Sequence, residues 1–146
     1  MIISISWLMV LIWMAVIFKL SSQSGQQSNG LSMGVTGIVG KVLAKVTFKA
    51  HVDMSKFNHM ARKYAHFFTY LVLGILVMNA IRRSGIVGSV MLIVSIGICI
   101  LYAISDEVHQ LFVPGRGAQV RDVLIDSAGA SVGISIYSLI VWVSES

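Results

Sequence analysis

The sequence predicts a small all-α integral membrane protein, an up-and-down bundle of four transmembrane helices with an amphipathic interfacial helix between the first two. Of its 146 residues, 56% are hydrophobic and only 12% are charged, whereas soluble domains carry about 25% charged residues. Four apolar segments also approach the roughly 20 residues that a helix needs to cross a bilayer. The length suits a single domain, residues 1–146.

The first predicted span, Ile2–Leu20, has no charge before Lys19. It lacks the basic start of a secretory signal peptide, so we expect a retained helix; cleavage would leave three spans. The other spans are expected over residues 64–81, 86–105 and 121–143. The single cysteine, Cys99, lies inside the third span, which excludes a disulfide framework and a thiolate metal site.

Residues 31–52 predict the interfacial helix, because apolar side chains recur with a helical period and Lys41, Lys45 and Lys49 fall on the opposite face. The alternative is a short helix packed over the bundle with solvated lysines. The basic stripe suits anionic lipid headgroups, and nothing in the sequence indicates nucleic-acid binding. Further along, Pro114 and Gly115 predict a helix break between the third and fourth spans.

Polar residues concentrate at one end of the predicted bundle. Four of the six acids lie between Ser105 and Gly133. Four alternating spans bring these acids to the same end as the polar start of the second span. There, Lys63, His66 and Tyr70 share one helix face because of their i, i+3 and i+7 spacing. We therefore expect basic and acidic side chains to meet at this end.

The fourth span continues its acidic face with small residues. Asp122 and Asp126 are one turn apart, and Gly129 and Gly133 follow on the same face. Small residues at this spacing allow another helix to approach closely. The acidic face is therefore predicted to point into the bundle.

Charged groups near the hydrocarbon region are costly and usually mark function. The alternative is a structural staple in which Lys63, Arg116 and Arg121 pair with the acids. Two residues would suffice for a staple, whereas the chain supplies at least eight polar groups, so we interpret the cluster as a functional site. Its catalytic candidates are His66, Asp106, Glu107, Asp122 and Asp126, and its substrate-binding candidates are Gln23, Lys63, Tyr70, Gln110, Arg116 and Arg121.

His66 lies about one turn inside the second span, where it could be a general acid or base, a metal ligand or a hydrogen-bonding partner of another helix. Arg116, in a glycine-flanked turn, could grip a phosphate or a carboxylate. A divalent metal is the only cofactor hypothesis, with His66, Glu107 and Asp122 as candidate ligands. No compact ligand motif such as HExxH accompanies it.

Three stretches resemble the VanZ-like membrane family: SSQS after the first span, RKYAHFFTYLVLG on the second, and SDEVHQLFVPGRGAQVRDVLIDSAGASVG across the third and fourth. The resemblance covers most of the chain, although residues 31–51 carry no motif. Many family members have asparagine where this chain has Asp126. The matching positions are Lys63, His66, Tyr70, Asp106, Glu107, Gln110, Phe112, Pro114, Arg116, Asp122, Asp126 and Gly129.

The resemblance implies a multi-pass protein of a bacterial cytoplasmic membrane with a role in the cell envelope, since the family is named after a protein linked to teicoplanin resistance. It implies no settled reaction. Nine of the eleven Lys and Arg residues lie at the polar end, against Arg82 and Arg83 at the other, which favours a cytoplasmic site. The envelope association instead favours a site on the external face. We expect the external face, because several of those bases serve the site itself and therefore say less about orientation.

Three functions are consistent with this sequence. The first is a hydrolase or transferase acting on a lipid-linked or headgroup-bearing envelope substrate, with membrane lipid or a lipid-linked precursor as its partner. The second is a non-catalytic protein that sequesters an amphiphile such as a lipoglycopeptide. The third, a transport or flippase accessory, is disfavoured because the helices become apolar or small beyond Tyr70 and Asp126.

Overall fold

The structure is a computed structural model that describes residues 2–23 and 54–145. Within these residues the chain forms four helices, each long and apolar enough to cross a membrane. Their bounds are α1 Ile2–Ser21, α2 Met54–Arg83, α3 Gly88–Gln110 and α4 Val120–Glu145. The all-helical, four-span prediction is confirmed, whereas the expected interfacial helix over residues 31–52 lies outside the described residues.

Two helices extend further at the polar end than their apolar runs suggested. The second helix begins at Met54 rather than near residue 64, and the third continues to Gln110 rather than ending near residue 105. No glycine or proline interrupts either extension, so the helices continue through their polar residues. The acids of α3 are therefore helical and point in directions fixed by the helix.

The helices α2 and α4 pack closely against each other because glycines remove side-chain bulk at their crossing. A Cβ atom at Gly129 would collide with the backbone carbonyl of Phe67, and one at Gly133 would collide with that of Leu71. Gly74 on α2 meets α4 in the same way. The predicted small-residue face of α4 is thus confirmed as a helix–helix contact.

The core lies around α2, which packs against the other three helices. Tyr70, Leu73 and Val77 of α2 are completely buried, together with Cys99 of α3. The buried core residues are Val10, Ile17, Tyr70, Leu73, Val77, Met78, Ala80, Ile81, Cys99, Ala103, Ala130 and Ile134. This tight centre fixes the rotation of α2 and hence the direction of its polar residues one and two turns earlier.

The helix α1 is more peripheral, and most of its large apolar side chains are exposed toward the surroundings of the bundle. Two hydrogen bonds attach its middle to the core. The Trp13 indole N–H donates to the Thr69 carbonyl at 2.9 Å, and the Tyr102 hydroxyl donates to the Met14 carbonyl at 2.6 Å. These bonds place the end of α1, at Ser21, beside the last turn of α3.

The loop between α3 and α4 folds back over the end of the bundle. The helix α3 stops at Gln110, before Pro114, and Gly115 adopts a left-handed conformation with φ +77°, which glycine adopts without steric cost. The predicted helix break at Pro114 and Gly115 is confirmed. We call the region formed by the end of α1, the start of α2, the end of α3, residues 111–119 and the start of α4 the polar end.

Candidate functional site

A cavity of about 110 Å³ lies at the polar end, between the third and fourth turns of α2 and the first turns of α4, beneath the loop. We call it the polar pocket. Most of its wall is charged or able to form hydrogen bonds. Its lining residues are Arg62, Lys63, His66, Gln110, Gly115, Arg116, Gly117, Gln119, Asp122, Ile125 and Asp126.

His66 and Asp126 face each other across the α2–α4 crossing. The His66 Nδ1 atom lies 3.6 Å from Asp126 Oδ1, and Asp126 is only 1% exposed. The close contact between Gly129 and Phe67 holds this pair in place. Gly129 lies one turn after Asp126 on α4, and Phe67 directly follows His66 on α2. At 3.6 Å the two groups are slightly beyond hydrogen-bond distance, and a small movement would allow them to share a proton.

Asp106 lies beside this pair and, unlike Asp126, has hydrogen-bond partners among the described residues. The Ser21 hydroxyl donates a hydrogen bond to Asp106 Oδ2 at 2.6 Å. The Gln110 amide N–H lies 3.5 Å from the same oxygen and 3.4 Å from the Ser21 hydroxyl oxygen. Asp106 is 3% exposed and does not line the polar pocket. Its place behind the pocket favours support of the His66–Asp126 pair over contact with a ligand.

Glu107 anchors the loop. Its Oε1 atom accepts a hydrogen bond from the backbone N–H of Gln119 at 2.7 Å, and the side chain is buried. This bond ties the last turn of α3 to the loop residue just before α4, and so holds Arg116 over the polar pocket. Glu107 is not among the residues that line the pocket. The contact indicates a positioning role for a residue predicted to be catalytic.

Lys63 and Asp122 form an ion pair at the mouth of the pocket, with Nζ and Oδ1 3.5 Å apart and both side chains about one-quarter exposed (22% and 27%). Asp122 lies in the first turn of α4, where the helix dipole also stabilises a carboxylate. This pair matches the structural staple considered from the sequence. It accounts for two of the polar residues and leaves the His66–Asp126 pair unexplained.

Arg116 lies over the pocket on the loop, and its Nε atom is buried without a hydrogen-bond partner among the described residues. Partial burial lowers the pKa of the Arg116 guanidinium, and the nearby positive charge of Arg62 acts in the same direction, whereas Asp106, Glu107 and Asp122 oppose the change. An arginine stays protonated in proteins. The pocket therefore contains a fixed cation suited to a bound anion.

Several residues of the site, including Arg62 and Ser21, were not among the sequence candidates. Arg62 lines the pocket, and its position one turn before His66 on the same helix face was a usable signal. Ser21 binds Asp106, and its place at the end of the first span, within the SSQS stretch that resembles the family, pointed to it. In contrast, Gln23, Tyr70 and Arg121 do not line the pocket.

Tyr70 is completely buried beneath the pocket, and its hydroxyl has no hydrogen-bond partner among the described residues. It lies one turn below His66 on α2, on the face that the sequence predicted. This burial favours a supporting role for Tyr70. Gln23 is half-buried at the end of α1, and the Arg121 side chain is exposed.

Three side chains could together hold a metal ion: His66, Asp106 and Asp126, whose ligand atoms lie within 4.8 Å of one another. Both carboxylate oxygens of Asp126 and one of Asp106 lack a hydrogen-bond partner among the described residues, as a hard-cation site would require. The ligand set predicted from the sequence shares only His66 with this group. Glu107 binds the loop and Asp122 binds Lys63 instead. A divalent metal stays a prediction.

The fold and the site define a multi-pass helical membrane protein with a charged pocket at one end of its bundle. The family model described as VanZ/LLP1 matches residues 6–141, which include all four helices, and the chain belongs to this family. Membership links the protein by resemblance with glycopeptide resistance. Searches of curated proteins and of solved structures gave no match.

Proposed function

We propose that this protein is an enzyme of the membrane interface, a hydrolase or transferase that acts on an anionic headgroup of an envelope lipid or lipid-linked precursor. The observation that carries the proposal is the His66–Asp126 pair in the wall of a pocket that also contains Arg62, Lys63 and Arg116. An anion held by these cations would lie next to an imidazole–carboxylate pair.

The cations would bind and orient the substrate. Arg116 offers a planar fork of donors that matches the oxygens of a phosphate or a carboxylate. Lys63 contributes a point charge at the pocket mouth, where Asp122 keeps its ammonium group in place. Their charge is worth more in a partly dry pocket than in water, because the effective dielectric constant is lower there.

The His66–Asp126 pair would move the proton. His66 would accept a proton from an attacking water or hydroxyl group and return it to the leaving oxygen, while Asp126 orients the ring and stabilises its charged form. Asp106 supports the arrangement through its bond to Ser21. Glu107 keeps the loop closed over the pocket through Gln119.

The second candidate is a non-catalytic binding protein for an amphiphile such as a lipoglycopeptide. Arg62, Lys63 and Arg116 support this candidate as well as they support the enzyme, because they would hold an anion whether or not a reaction follows. The buried imidazole–carboxylate pair has no role in that alternative. A transport accessory is supported least, because the core beyond Tyr70 is apolar, with residues such as Leu73 and Val77.

The test compares His66→Ala with His109→Ala in full-length protein reconstituted with a total lipid extract from its host. His109 lies at the same end, where its Nε2 atom is 3.1 Å from the Ser22 hydroxyl, but it does not line the pocket. We expect wild type and His109→Ala to consume one lipid component by mass spectrometry. Loss of general acid–base catalysis should slow His66→Ala by about 100-fold or more.

Melting temperatures recorded in the same samples control for misfolding. Full turnover by a folded His66→Ala protein would reject the assignment of the base. No consumption of any component by the wild type would favour the binding protein.

A further inference from the structure

A second cavity adjoins the polar pocket on the outer side of the bundle. It has a volume of about 430 Å³ and an almost wholly apolar wall, formed by Met60, Lys63, Tyr64, Phe67, Phe68 and Ile125. We call it the apolar groove. Lys63 and Ile125 line both cavities, so the groove and the polar pocket share a rim.

The groove faces the surroundings of the bundle rather than its core. The side chains of Tyr64 and Phe68 are 59% and 60% exposed. They lie in the first turns of the span that starts at Arg62, which corresponds to the boundary between hydrocarbon and headgroups. Aromatic side chains are enriched at that depth. A lipid chain in the adjoining leaflet can therefore reach the groove sideways, between α2 and α4.

Lys63 connects the two environments. Lys63 lines the groove, while its ammonium group pairs with Asp122 at the mouth of the polar pocket. Long basic side chains commonly lie along apolar surface in this way and keep the charge in a polar place. A ligand that follows the same course has a charged head in the pocket and an apolar tail in the groove.

We propose that the two cavities form one binding site for a membrane lipid with a phosphate headgroup, which enters sideways from the bilayer. This inference rests on the proposed function and names its substrate class. The phosphate lies among Arg62, Lys63 and Arg116, and an acyl chain lies against Tyr64 and Phe68. A pocket of about 110 Å³ suits a phosphate ester.

The experiment measures binding rather than turnover, on the full chain in detergent by native mass spectrometry. Three probes separate the parts of the ligand: dioleoyl phosphatidic acid, dioleoylglycerol and glycerol 3-phosphate. We expect phosphatidic acid to bind at least about tenfold more tightly than either of the other two, because only it fills both cavities. Equal binding of glycerol 3-phosphate, equal binding of dioleoylglycerol, or no binding of phosphatidic acid would each overturn the proposal.

Matched variants locate the two halves of the ligand. Phe68→Ser should weaken phosphatidic acid binding and leave glycerol 3-phosphate unchanged, whereas Arg116→Ala should weaken both. Ile93→Ser is the control, since Ile93 is an apolar side chain of α3 that is 69% exposed and lines neither cavity. If Phe68→Ser lowers the melting temperature without changing lipid affinity, the groove is occupied by another part of the protein and the proposal is wrong.

The outcomes also separate this inference from the proposed function. Phosphatidic acid that binds with the expected pattern, together with no conversion of any component of the lipid extract by the wild type, contradicts the enzyme alone. Turnover of a soluble phosphate ester, with no preference for the lipid, supports the enzyme and overturns the lipid site.

Discussion

Both ends of the bundle carry polar residues, but the two ends differ in how completely these residues find hydrogen-bond partners. At the end opposite the pocket, Asn79 Oδ1 accepts hydrogen bonds from Arg83 Nε at 3.1 Å and from the Tyr137 hydroxyl at 3.2 Å. The Trp7 indole N–H also donates to the Ser84 hydroxyl at 3.1 Å. This small network joins three helices and is a structural staple.

At the polar end, several buried groups lack such partners. Among the described residues, every buried side-chain nitrogen or oxygen without a hydrogen-bond partner belongs to the polar end or to Tyr70 beneath it. They include both carboxylate oxygens of Asp126 and the Nδ1 atom of His66. Unpaired buried polar groups are costly, and their concentration at one end supports the proposed function.

The largest effect is expected from closing the space between α2 and α4. In Gly129→Ala, the new methyl group would collide with the Phe67 carbonyl and push the helices apart beside His66 and Asp126. Overpacking of this kind costs about 2 kcal/mol of stability, and separation of the pair should abolish turnover. Thermal unfolding and lipid conversion measure the two effects.

Gly97→Ala is the matched control for that change, since nothing lies within 4 Å of a Cβ atom at Gly97 on α3. It should leave both unfolding and turnover unchanged. Equal behaviour of the two variants would show that the α2–α4 contact does not hold the site together.

The next effect concerns the loop. Glu107→Leu removes the acceptor for the Gln119 N–H and should release Arg116 from the pocket, with a large loss of turnover. Glu107→Gln keeps an acceptor oxygen and should retain most of the turnover. If Glu107→Gln were as inactive as Glu107→Leu, the carboxylate itself would take part in the chemistry, as first predicted from the sequence.

The smallest effect belongs to the opposite end. Tyr137→Phe removes one hydrogen bond to Asn79 and should lower the free energy of unfolding by about 0.6 kcal/mol, a typical value between membrane helices. Turnover should not change. A large loss of turnover at normal stability would contradict the division between a functional and a structural end.

The sequence predicted the four spans and the glycine face of α4, because apolar length and small-residue spacing act locally along a helix. It did not predict that α2 starts at Met54 or that α3 reaches Gln110, since polar residues were taken as helix ends. The candidate site lay at the predicted end of the bundle. The sequence could not show which acid would face His66, because that depends on the rotation of α2 against α4.

The sequence also could not predict the partners of the individual acids. Asp106 binds Ser21, Glu107 binds the loop and Asp122 binds Lys63, which leaves Asp126 for His66. All four acids have similar local sequence signals. Only the packing of the four helices and the loop distinguishes the supporting acids from the one beside the imidazole.

The central claim is that the His66–Asp126 pair is kept for function and not for stability. The most direct test is the melting temperature of purified wild type, His66→Ala and Asp126→Asn in one detergent, with Tyr137→Phe as the structural reference. Asp126→Asn removes the buried charge and should melt level with the wild type or above it, and Tyr137→Phe slightly below it. His66→Ala leaves the Asp126 carboxylate buried without its partner and should melt below Asp126→Asn. If Asp126→Asn melts well below Tyr137→Phe, the pair is a structural staple and the account is wrong.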